Sequence, residues 1–464
     1  MASKKGIHFE ISERKVLLRV FDILAVLVGL YGIGYTFQFD YFTVTKAQWL
    51  WSLILGLYIT IFGTIFELYN LKQSSRLDTT FKNIVLTVSV TVLFYLLTPI
   101  ITPLLPNQRM QIVYFYLAII GSIFLWRVAY TTFIASPRFY KRVLVLGEVS
   151  NVEHIVKTFS KADPNYKIVG FINSDSSKSA SIKFKGLIEY KPEGLLDVIE
   201  KEGISEIVVA IYNSNTITPQ IYNELTVLLE RGFTIREYTQ VFEEITKRVP
   251  VQFVGKDFYK YFPFSRSNQN RLYMFYHRFM DMVCSTIGVL CGIVLLPIII
   301  IGDLIANRGK LFYTQIRIGK NGKPFTMIKF RTMVANAEAN GVKWADKNDY
   351  RVTPFGRFLR NSRLDEIPQF LNVLKGDMSI IGPRPERPFF VNELSKIIPF
   401  YETRHTIKPG LSGWAQVNSR YGSSVEDSLL KLQFDLYYIK HRSFFLDLNI
   451  LVKTLNTMIY YRGQ

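Results

Sequence analysis

Cysteine is nearly absent from this chain of 464 residues: Cys284 and Cys291 are the only two, and both lie in one apolar run. They sit seven positions apart, about two helical turns, which is out of reach for a disulfide within one helix. A disulfide-stapled scaffold and a cysteine-built metal centre are both excluded. Histidine is scarce too, at five residues, and neither His405 nor His441 has a partner at metal-ligand spacing. Acidic residues are outnumbered, 37 against 56 basic ones, for a net charge of +19. Even so, 49% of the chain is hydrophobic, 15% is aromatic, and the mean hydropathy is +0.15. A nucleic-acid binder of that charge is far less apolar, so no nucleic-acid partner is expected. Basic and apolar together read as a membrane protein with cytoplasmic positive flanks.

Four stretches free of charge have the length of a bilayer span or nearly so: Ile23–Phe39, Ala47–Phe66, Asn83–Gln108 and Met110–Trp126. Pro99, Pro103 and Pro106 stop the third near Thr98 and leave an outer loop. Lys4, Lys5, Arg14, Lys15 and Arg19 precede the first span, and Lys72, Arg76 and Lys82 lie between the second and third. Arg127, Arg138, Lys141 and Arg142 follow the fourth, whereas the outer loops carry only Lys46 and Arg109. This bias places both ends of a four-helix region, residues 1–140, in the cytoplasm. The long basic leader, with no small-residue cleavage site after it, argues against a removed signal peptide.

Residues 141–250 change character. Arg142–Gly147, Lys167–Ile172, Glu206–Ile211 and Phe233–Glu237 read as strands, with helices at Val152–Phe159, Glu193–Glu202 and Pro219–Arg231. Strands alternating with helices predict a Rossmann-like parallel sheet. A dinucleotide fingerprint needs glycine at three places in the first turn, but Gly147 is followed by Val149 and Val152. The module is therefore expected to serve structure, assembly or regulation. Residues 251–270, rich in Tyr, Phe, Lys and Arg, read as a linker at a membrane surface.

Met282–Gly302 is uncharged for 21 residues and contains Pro297. Its length alone suits a fifth span. Basic residues flank both ends, His277 and Arg278 before it, Arg308 and Lys310 after it. That symmetry favours a re-entrant, helix-break-helix element over about 275–305, and spanning would carry every later charge across the membrane.

Asp365 and Glu366 stand just ahead of the apolar run Ile367–Leu374, which reads as a short helix ending at Gly376. Asp365 is thus expected near a helix N-terminus, with Arg360, Arg363, Arg384 and Arg387 on either side. Carboxylates among arginines suit a metal-bound phosphate; the plainer reading is a pair of favourable first-turn charges. Phe312–Gly319 and Phe325–Met333 alternate like strands, and Lys329 and Arg331 close the second where a phosphate or lipid head group would lie. Lys408, Gly410, Gly413, Trp414 and Gln416 form a Gly/Pro turn beside an indole, a place to stack a base or sugar. Trp414, like Tyr437 and Tyr438, is expected as a core or interfacial anchor rather than a ligand contact.

The ordered motifs Lys329-Phe330-Arg331-Thr332-Met333, Leu364-Asp365-Glu366-Ile367-Pro368-Gln369, Leu374-Lys375-Gly376-Asp377-Met378-Ser379, Gly382-Pro383-Arg384-Pro385 and Lys408-Pro409-Gly410 through Val417-Asn418 resemble those of the monotopic phosphoglycosyl transferases. The resemblance covers residues 271–464 in motif and the whole chain in layout. It implies a bacterial enzyme that moves a hexose-1-phosphate from a UDP-sugar to undecaprenyl phosphate and releases UMP, starting exopolysaccharide, capsule or O-antigen units. By the same resemblance Asp365 is the nucleophile, Glu366 beside it ligates Mg²⁺, and Arg360 and Arg384 hold phosphate. Ser419 departs from the glycine common in the family.

The expected architecture is therefore four transmembrane helices, a Rossmann-like α/β domain, and an α+β catalytic domain, 271–464, held to the inner leaflet by a re-entrant helix. The expected setting is the bacterial cytoplasmic membrane, with the site on its cytoplasmic face, the lipid bilayer as partner, and a homodimer by family likeness. Two other functions fit the layout. A membrane-anchored nucleotide-sugar dehydratase needs the intact glycine fingerprint and a Tyr-x-x-x-Lys pair, and the module has neither. A non-enzymatic scaffold for polysaccharide assembly would not need Asp365.

Overall fold

The computed structural model of the protein describes residues 11–37, 39, 41–45, 48–69, 77–133, 140–163, 166–173, 187–191, 193, 195–211, 218–251, 270–307, 309–334, 337, 349–419 and 424–459. The chain divides into two compact units, Met1–Thr246 and Lys247–Gln464. Of the expected linker, residues 252–269 lie outside the described residues, while Val249 and Val251 are buried in the core of the second unit.

The first unit opens with four apolar helices, α1 (Ile11–Phe37), α2 (Trp49–Ile65), α3 (Leu77–Leu96) and α4 (Met110–Phe133). Helices α1 (over Lys15–Phe37) and α4 are long and apolar enough to cross a membrane; α2 and Thr80–Leu96 are shorter. Helix α3 ends just ahead of the proline-rich segment, where the chain can no longer donate its helical hydrogen bonds. The four pack around Leu18, Ile59, Ile84, Val88, Phe115 and Ile119. Arg127 corrects the charge pattern drawn from sequence. It is no flanking charge: it lies inside α4, fully buried, with Nη2 2.6 Å from Oδ2 of Asp22 on α1. Removing one partner of such a pair strands the other, at a cost of about 3–5 kcal/mol, so the pair fixes how these two helices meet.

Next comes a five-stranded, all-parallel sheet of order β3-β2-β1-β4-β5. Its strands are β1 (Lys141–Gly147), β2 (Tyr166–Asn173), β3 (Ile188–Tyr190), β4 (Glu206–Ala210) and β5 (Ile235–Glu237). Helices α5 (Val149–Ala162), α6 (Leu195–Glu202), α7 (Pro219–Glu230) and α8 (Tyr238–Thr246) complete the module. Strand β3 and helix α8 were not anticipated. A Cβ on Gly147 would sit 2.8 Å from the Ala210 carbonyl oxygen, so close approach of β1 and β4 accounts for this glycine without a nucleotide.

The second unit is laid along α9 (Arg271–Ala306), 36 residues and about 54 Å at the ideal rise. The helix runs through Pro297 unbroken, so the expected helix-break-helix form is replaced by one continuous helix. Both ends bond the same unit. Arg278 donates to the carbonyls of Val373 (2.8 Å) and Leu374 (2.9 Å), and the Asp281 carboxylate accepts from Ser379 Oγ (2.7 Å) and Ile380 N (2.8 Å). At the far end Asp303 pairs with Arg331 at 3.7 Å. Between them, Gly288, Gly292 and Gly302 make room for Phe370, Ile367 and Phe355. The other side of α9 exposes Leu290, Ile293, Val294, Ile298, Leu304 and Ile305. Cys284 and Cys291 are free thiols on this helix.

Against α9 pack the hairpin β6 (Phe312–Ile318) and β7 (Pro324–Phe330), α10 (Pro354–Asn361), a 3₁₀ turn (Leu364–Glu366), and α11 (Gln369–Lys375). Gly376 ends α11 in the left-handed region (φ 95°), as its helix stop signal required. Two short parallel strands follow, β8 (Ser379–Ile381) and β9 (Gly410–Ser412), with α12 (Pro388–Ile397), α13 (Trp414–Asn418), α14 (Val425–His441) and α15 (Phe444–Ile459). Beyond β8 and β9 two backbones cross at van der Waals contact: Gly382 N donates to Ser412 O (2.8 Å), and Gly410 N to Pro383 O (2.9 Å). A Cβ on Gly410 would lie 2.1 Å from Gly382 N, and one on Gly413 would lie 2.3 Å from Gly382 O.

No side chain can give way at that crossing, so Gly410→Ala is expected to cost about 1–3 kcal/mol through overpacking. Thermal unfolding of the detergent-solubilised protein should show a midpoint several degrees lower. Gly121→Ala, whose methyl meets nothing within 4 Å, should leave it unchanged.

Candidate active site

The sequence Ser362-Arg363-Leu364-Asp365-Glu366 turns sharply because Arg363 adopts φ 59° and ψ 13°, a left-handed conformation unusual outside glycine. A 3₁₀ turn follows, closed by Glu366 N to Arg363 O and Ile367 N to Leu364 O, each 3.2 Å. Asp365 is therefore not in the first turn of a helix, as its place in the sequence suggested: α11 starts after Pro368. The residue is buried, 7% exposed. Among the described residues it takes part in no ion pair or hydrogen bond.

Glu366, the next residue, gathers the cations. Arg384 Nη2 is 2.8 Å from its Oε1, Lys329 Nζ 3.7 Å from the same oxygen, and Arg363 Nη1 3.4 Å from Oε2. The two carboxylates respond in opposite directions. Burial, and then the charge of Glu366, push the Asp365 carboxyl above the usual carboxylate range, only partly offset by Lys329, Arg360 and Arg384. Burial also opposes the Glu366 charge, but Arg384, Lys329 and Arg363 outweigh it and hold that carboxyl below the usual range. A helix N-terminus would have lowered Asp365 instead. Burial likewise lowers the Lys329 ammonium, against the pull of Glu366.

Each cation is positioned by its own device. Lys329 rides on β7, which is stitched to α11 by Asn372: its Nδ2 donates to Thr326 O (2.8 Å) and its Oδ1 accepts from Ile328 N (3.2 Å). Arg360, in the last turn of α10, donates from Nε to Thr332 Oγ1 (2.9 Å), within electrostatic reach of Asp365. Arg384 is aimed by its backbone. Its carbonyl accepts from Arg404 Nη2 (3.0 Å), and the next carbonyl, of Pro385, accepts from Arg317 Nη1 (3.3 Å). Arg404 is itself buried, paired with Asp435 at 2.8 Å and with the Tyr401 hydroxyl at 2.8 Å. Glu386, two positions after Arg384, pairs with Arg317 at 3.1 Å.

The structure thus brings together Asp365, Glu366, Lys329, Arg360 and Arg384. Arg331 is used elsewhere, at the end of α9, where Nη2 donates to Asn307 O (3.2 Å) and approaches Asp303. Gly410 and Gly413 belong to the crossing that carries the Arg384 loop. Lys408 lies beyond the other end of α11, its Nζ beside Gly376, and burial followed by Arg278 lowers its pKa. Trp414 is buried: Nε1 donates to Lys247 O (3.1 Å), the ring stacks on Tyr437, and Lys453 covers it at 4.4 Å. Gln416 donates from Nε2 to Leu411 O (3.0 Å). These residues build the support of the site. Sequence reasoning missed Arg317, Arg404 and Asp435; the one available signal was a carboxylate, Asp435, inside the apolar run Phe434–Tyr438.

Two oxygen-donor carboxylates, Asp365 and Glu366, suit a hard cation such as Mg²⁺, which takes one or two carboxylates and completes its shell with substrate phosphate and water. Among the described residues no three metal-ligating side chains converge.

Comparison with known proteins fits this geometry. Residues 272–461 match the family model described as bacterial sugar transferase. The chain is 42% identical over 188 residues to the UDP-N-acetylgalactosamine-undecaprenyl-phosphate N-acetylgalactosaminephosphotransferase of Aeromonas hydrophila, covering 40% of this chain and 44% of that protein. It is 42% identical over 177 residues to the UDP-glucose:undecaprenyl-phosphate glucose-1-phosphate transferase of Xanthomonas campestris pv. campestris, covering 38% and 37%. The match therefore spans less than half the length of either relative. An uncharacterized sugar transferase of Bacillus subtilis (strain 168), EpsL, is 37% identical over 194 residues, 41% of this chain and 90% of that protein. With almost the whole of that relative covered and the buried carboxylate pair lying within the matched segment, the chain belongs to the bacterial sugar transferase family.

Proposed function

We propose that the protein transfers a sugar-1-phosphate from a UDP-sugar to undecaprenyl phosphate, through a covalent intermediate on Asp365, at the cytoplasmic face of a bacterial membrane. The observation that carries this reading is the asymmetry of the carboxylate pair: Glu366 holds three cations, while Asp365 is buried beside them without a partner of its own among the described residues. The named activities of the Aeromonas and Xanthomonas relatives support the reaction class.

In the first step an Asp365 carboxylate oxygen attacks the donor's β-phosphorus. The bond from that phosphorus to the bridging oxygen breaks, and UMP leaves with the electron pair. In the second, a phosphate oxygen of undecaprenyl phosphate attacks the same phosphorus and Asp365 departs as carboxylate. Splitting one displacement between two dianionic phosphates into two steps is the gain from the carboxylate nucleophile. Arg384, Arg360 and Lys329 hold the phosphoryl oxygens and the charge that develops on them. Glu366 and Asp365 would hold Mg²⁺, which when bound neutralises the diphosphate.

Placement at a membrane explains why such a site is built on α9. The acceptor keeps its tail in the bilayer and the donor comes from water, so only an interfacial site meets both. Both ends of α9 bond the unit that carries the charged site, and the face of α9 turned away from it is apolar and exposed. That arrangement supports immersion from one leaflet over crossing. The four N-terminal apolar helices would supply a further anchor.

Asp365→Asn is expected to lower UMP release by at least about a thousandfold in vesicles containing undecaprenyl phosphate, Mg²⁺ and a panel of UDP-sugars. Chelation of divalent cations should also abolish release. UMP formed at the wild-type rate by the variant would refute the aspartyl intermediate, and UDP as product would refute phosphosugar transfer.

The acid limb of the pH–rate profile should report Asp365. Since the nucleophile must be ionised and its pKa is raised from 3.8, activity is lost at a higher pH than for an ordinary carboxylate. Glu366→Gln removes a neighbouring charge that raises Asp365, so its limb should move to lower pH even as the rate falls. Arg384→Gln, which removes a stabilising cation, should move the limb upward.

A further inference from the structure

The N-terminal helices hold a cluster of charge that the transfer chemistry does not use. Toward the end of the bundle where α1 begins and α4 finishes, Arg19 and Asp22 of α1 come together with Arg127 of α4. Tyr69, just past α2, receives both guanidiniums: the central carbon of Arg19 lies 5.3 Å from the middle of its ring, and that of Arg127 lies 5.6 Å away. Two cations therefore share one carboxylate. Asp22 takes Arg127 Nη2 at 2.6 Å, and Nε and Nη1 of Arg127 have no acceptor although the side chain is fully buried. Arg19 is half-buried, makes no ion pair or hydrogen bond among the described residues, and buries its Nε without an acceptor. The other described carboxylates at this end, Glu13 and Glu67, have interactions of their own.

Buried arginine N–H groups without acceptors are strongly unfavourable, so the cluster calls for an anion from outside the chain. Its level in the bundle points to the source. Arg19 stands four residues ahead of the uncharged stretch Ile23–Phe39, and Arg127 directly follows Met110–Trp126. Both sit where an apolar span gives way to the polar layer of a membrane. Aromatic rings mark the same level: Trp126 stacks on Phe21 at 4.8 Å, with Tyr130 one turn on at 6.2 Å. The anions of that layer are lipid phosphates, and their several oxygens suit the fork of a guanidinium.

We propose that Arg19 and Arg127, with Tyr69 between them and α2, form a binding site for the phosphate of an anionic lipid. Arg19 makes the contact through its unpaired N–H groups. Arg127, being fully buried, contributes the charge that Asp22 alone does not balance. The site lies in the first unit and is independent of the phosphosugar-transfer reading. Leaflet phospholipids and undecaprenyl phosphate share this chemistry, and the experiment separates them.

The full-length protein in a neutral detergent is titrated with phosphatidylglycerol, phosphatidylcholine or undecaprenyl phosphate, and bound lipid is counted by native mass spectrometry. The wild type should take up one anionic lipid saturably and ahead of phosphatidylcholine, and the tighter of the two anionic lipids names the source. Arg19→Gln should weaken that binding about tenfold or more, the loss of a charge-assisted hydrogen bond, with Asp22 and Arg127 still paired. Arg19→Lys, which keeps the charge but not the fork, should fall between the two. Lys82→Gln removes an exposed charge from α3 at the same end and should leave binding unchanged. Equal weakening by Lys82→Gln would mean attraction by surface potential alone and would overturn the site. Lipid binding unmoved by either Arg19 variant would overturn it too. Displacement of the bound lipid by an equal concentration of inorganic phosphate would assign the arginines to a soluble anion and remove the lipid from the proposal.

Discussion

Two carboxylates that follow one another in a buried turn cannot both be left to themselves, and much of the second unit is arranged around that constraint. At an effective dielectric near 20, like charges about 5 Å apart repel by on the order of 3 kcal/mol, before burial adds its own penalty. The protein meets the cost on one side only. Arg384, Lys329 and Arg363 all converge on Glu366, whose charge is thereby secured, while the buried Asp365 keeps a raised pKa. Sharing the cations evenly would have produced two inert ion pairs. Concentrating them yields one anion held by three cations and one that forms no ion pair among the described residues.

Supplying three cations to one point demands rigidity from three separate places in the chain. Arg363 is contributed by a left-handed residue, Lys329 by a strand edge held through Asn372, and Arg384 by a loop pinned at a glycine crossing. The Arg404–Asp435 pair under that loop is 7% and 1% exposed, and losing either member would strand the other charge. Helix α9 unites these pieces. Its polar residues Arg278, Asp281 and Asp303 bond α11, β8 and the end of β7, and its glycines seat Ile367 and Phe370 from the segment that follows the carboxylates. An apolar helix that ordinarily needs only lipid is here also the base plate of a polar site.

Much of this was legible in the sequence, and the failures have physical causes. Alternation of strand and helix gave the parallel sheet, and the prolines after Leu96 gave the end of α3, because both signals are local. The pair Asp365-Glu366 with Arg360, Arg384 and Lys329 was found through ordered motifs. What escaped was every decision made by contact between distant segments. Arg127 looked like a flanking charge because its partner, Asp22, lies 105 positions away. Trp414 is the buried anchor its type suggested, but the glycines around it were also open to a base or sugar, since a Gly/Pro turn has the same sequence whether a ligand or a second backbone fills the space. Arg331 sits two positions from Lys329 but leaves the strand at Phe330, and the face it takes is then set by Asp303 and Asn307.

The 3₁₀ turn itself explains why adjacent residues of like charge can take unlike roles. At three residues per turn, consecutive side chains diverge by about 120°, more than in an α-helix. Glu366 can make ion pairs with the cation cluster while Asp365 makes none among the described residues, although their backbones are joined. In a strand the two would face opposite sides of a sheet and share no site; in an α-helix, the first-turn N–H groups would have lowered the pKa of both. The strained Arg363 that starts the turn and the Pro368 that ends it before α11 keep the segment from joining that helix. Backbone geometry, set by these two residues, thus converts a repeated charge into a division of labour.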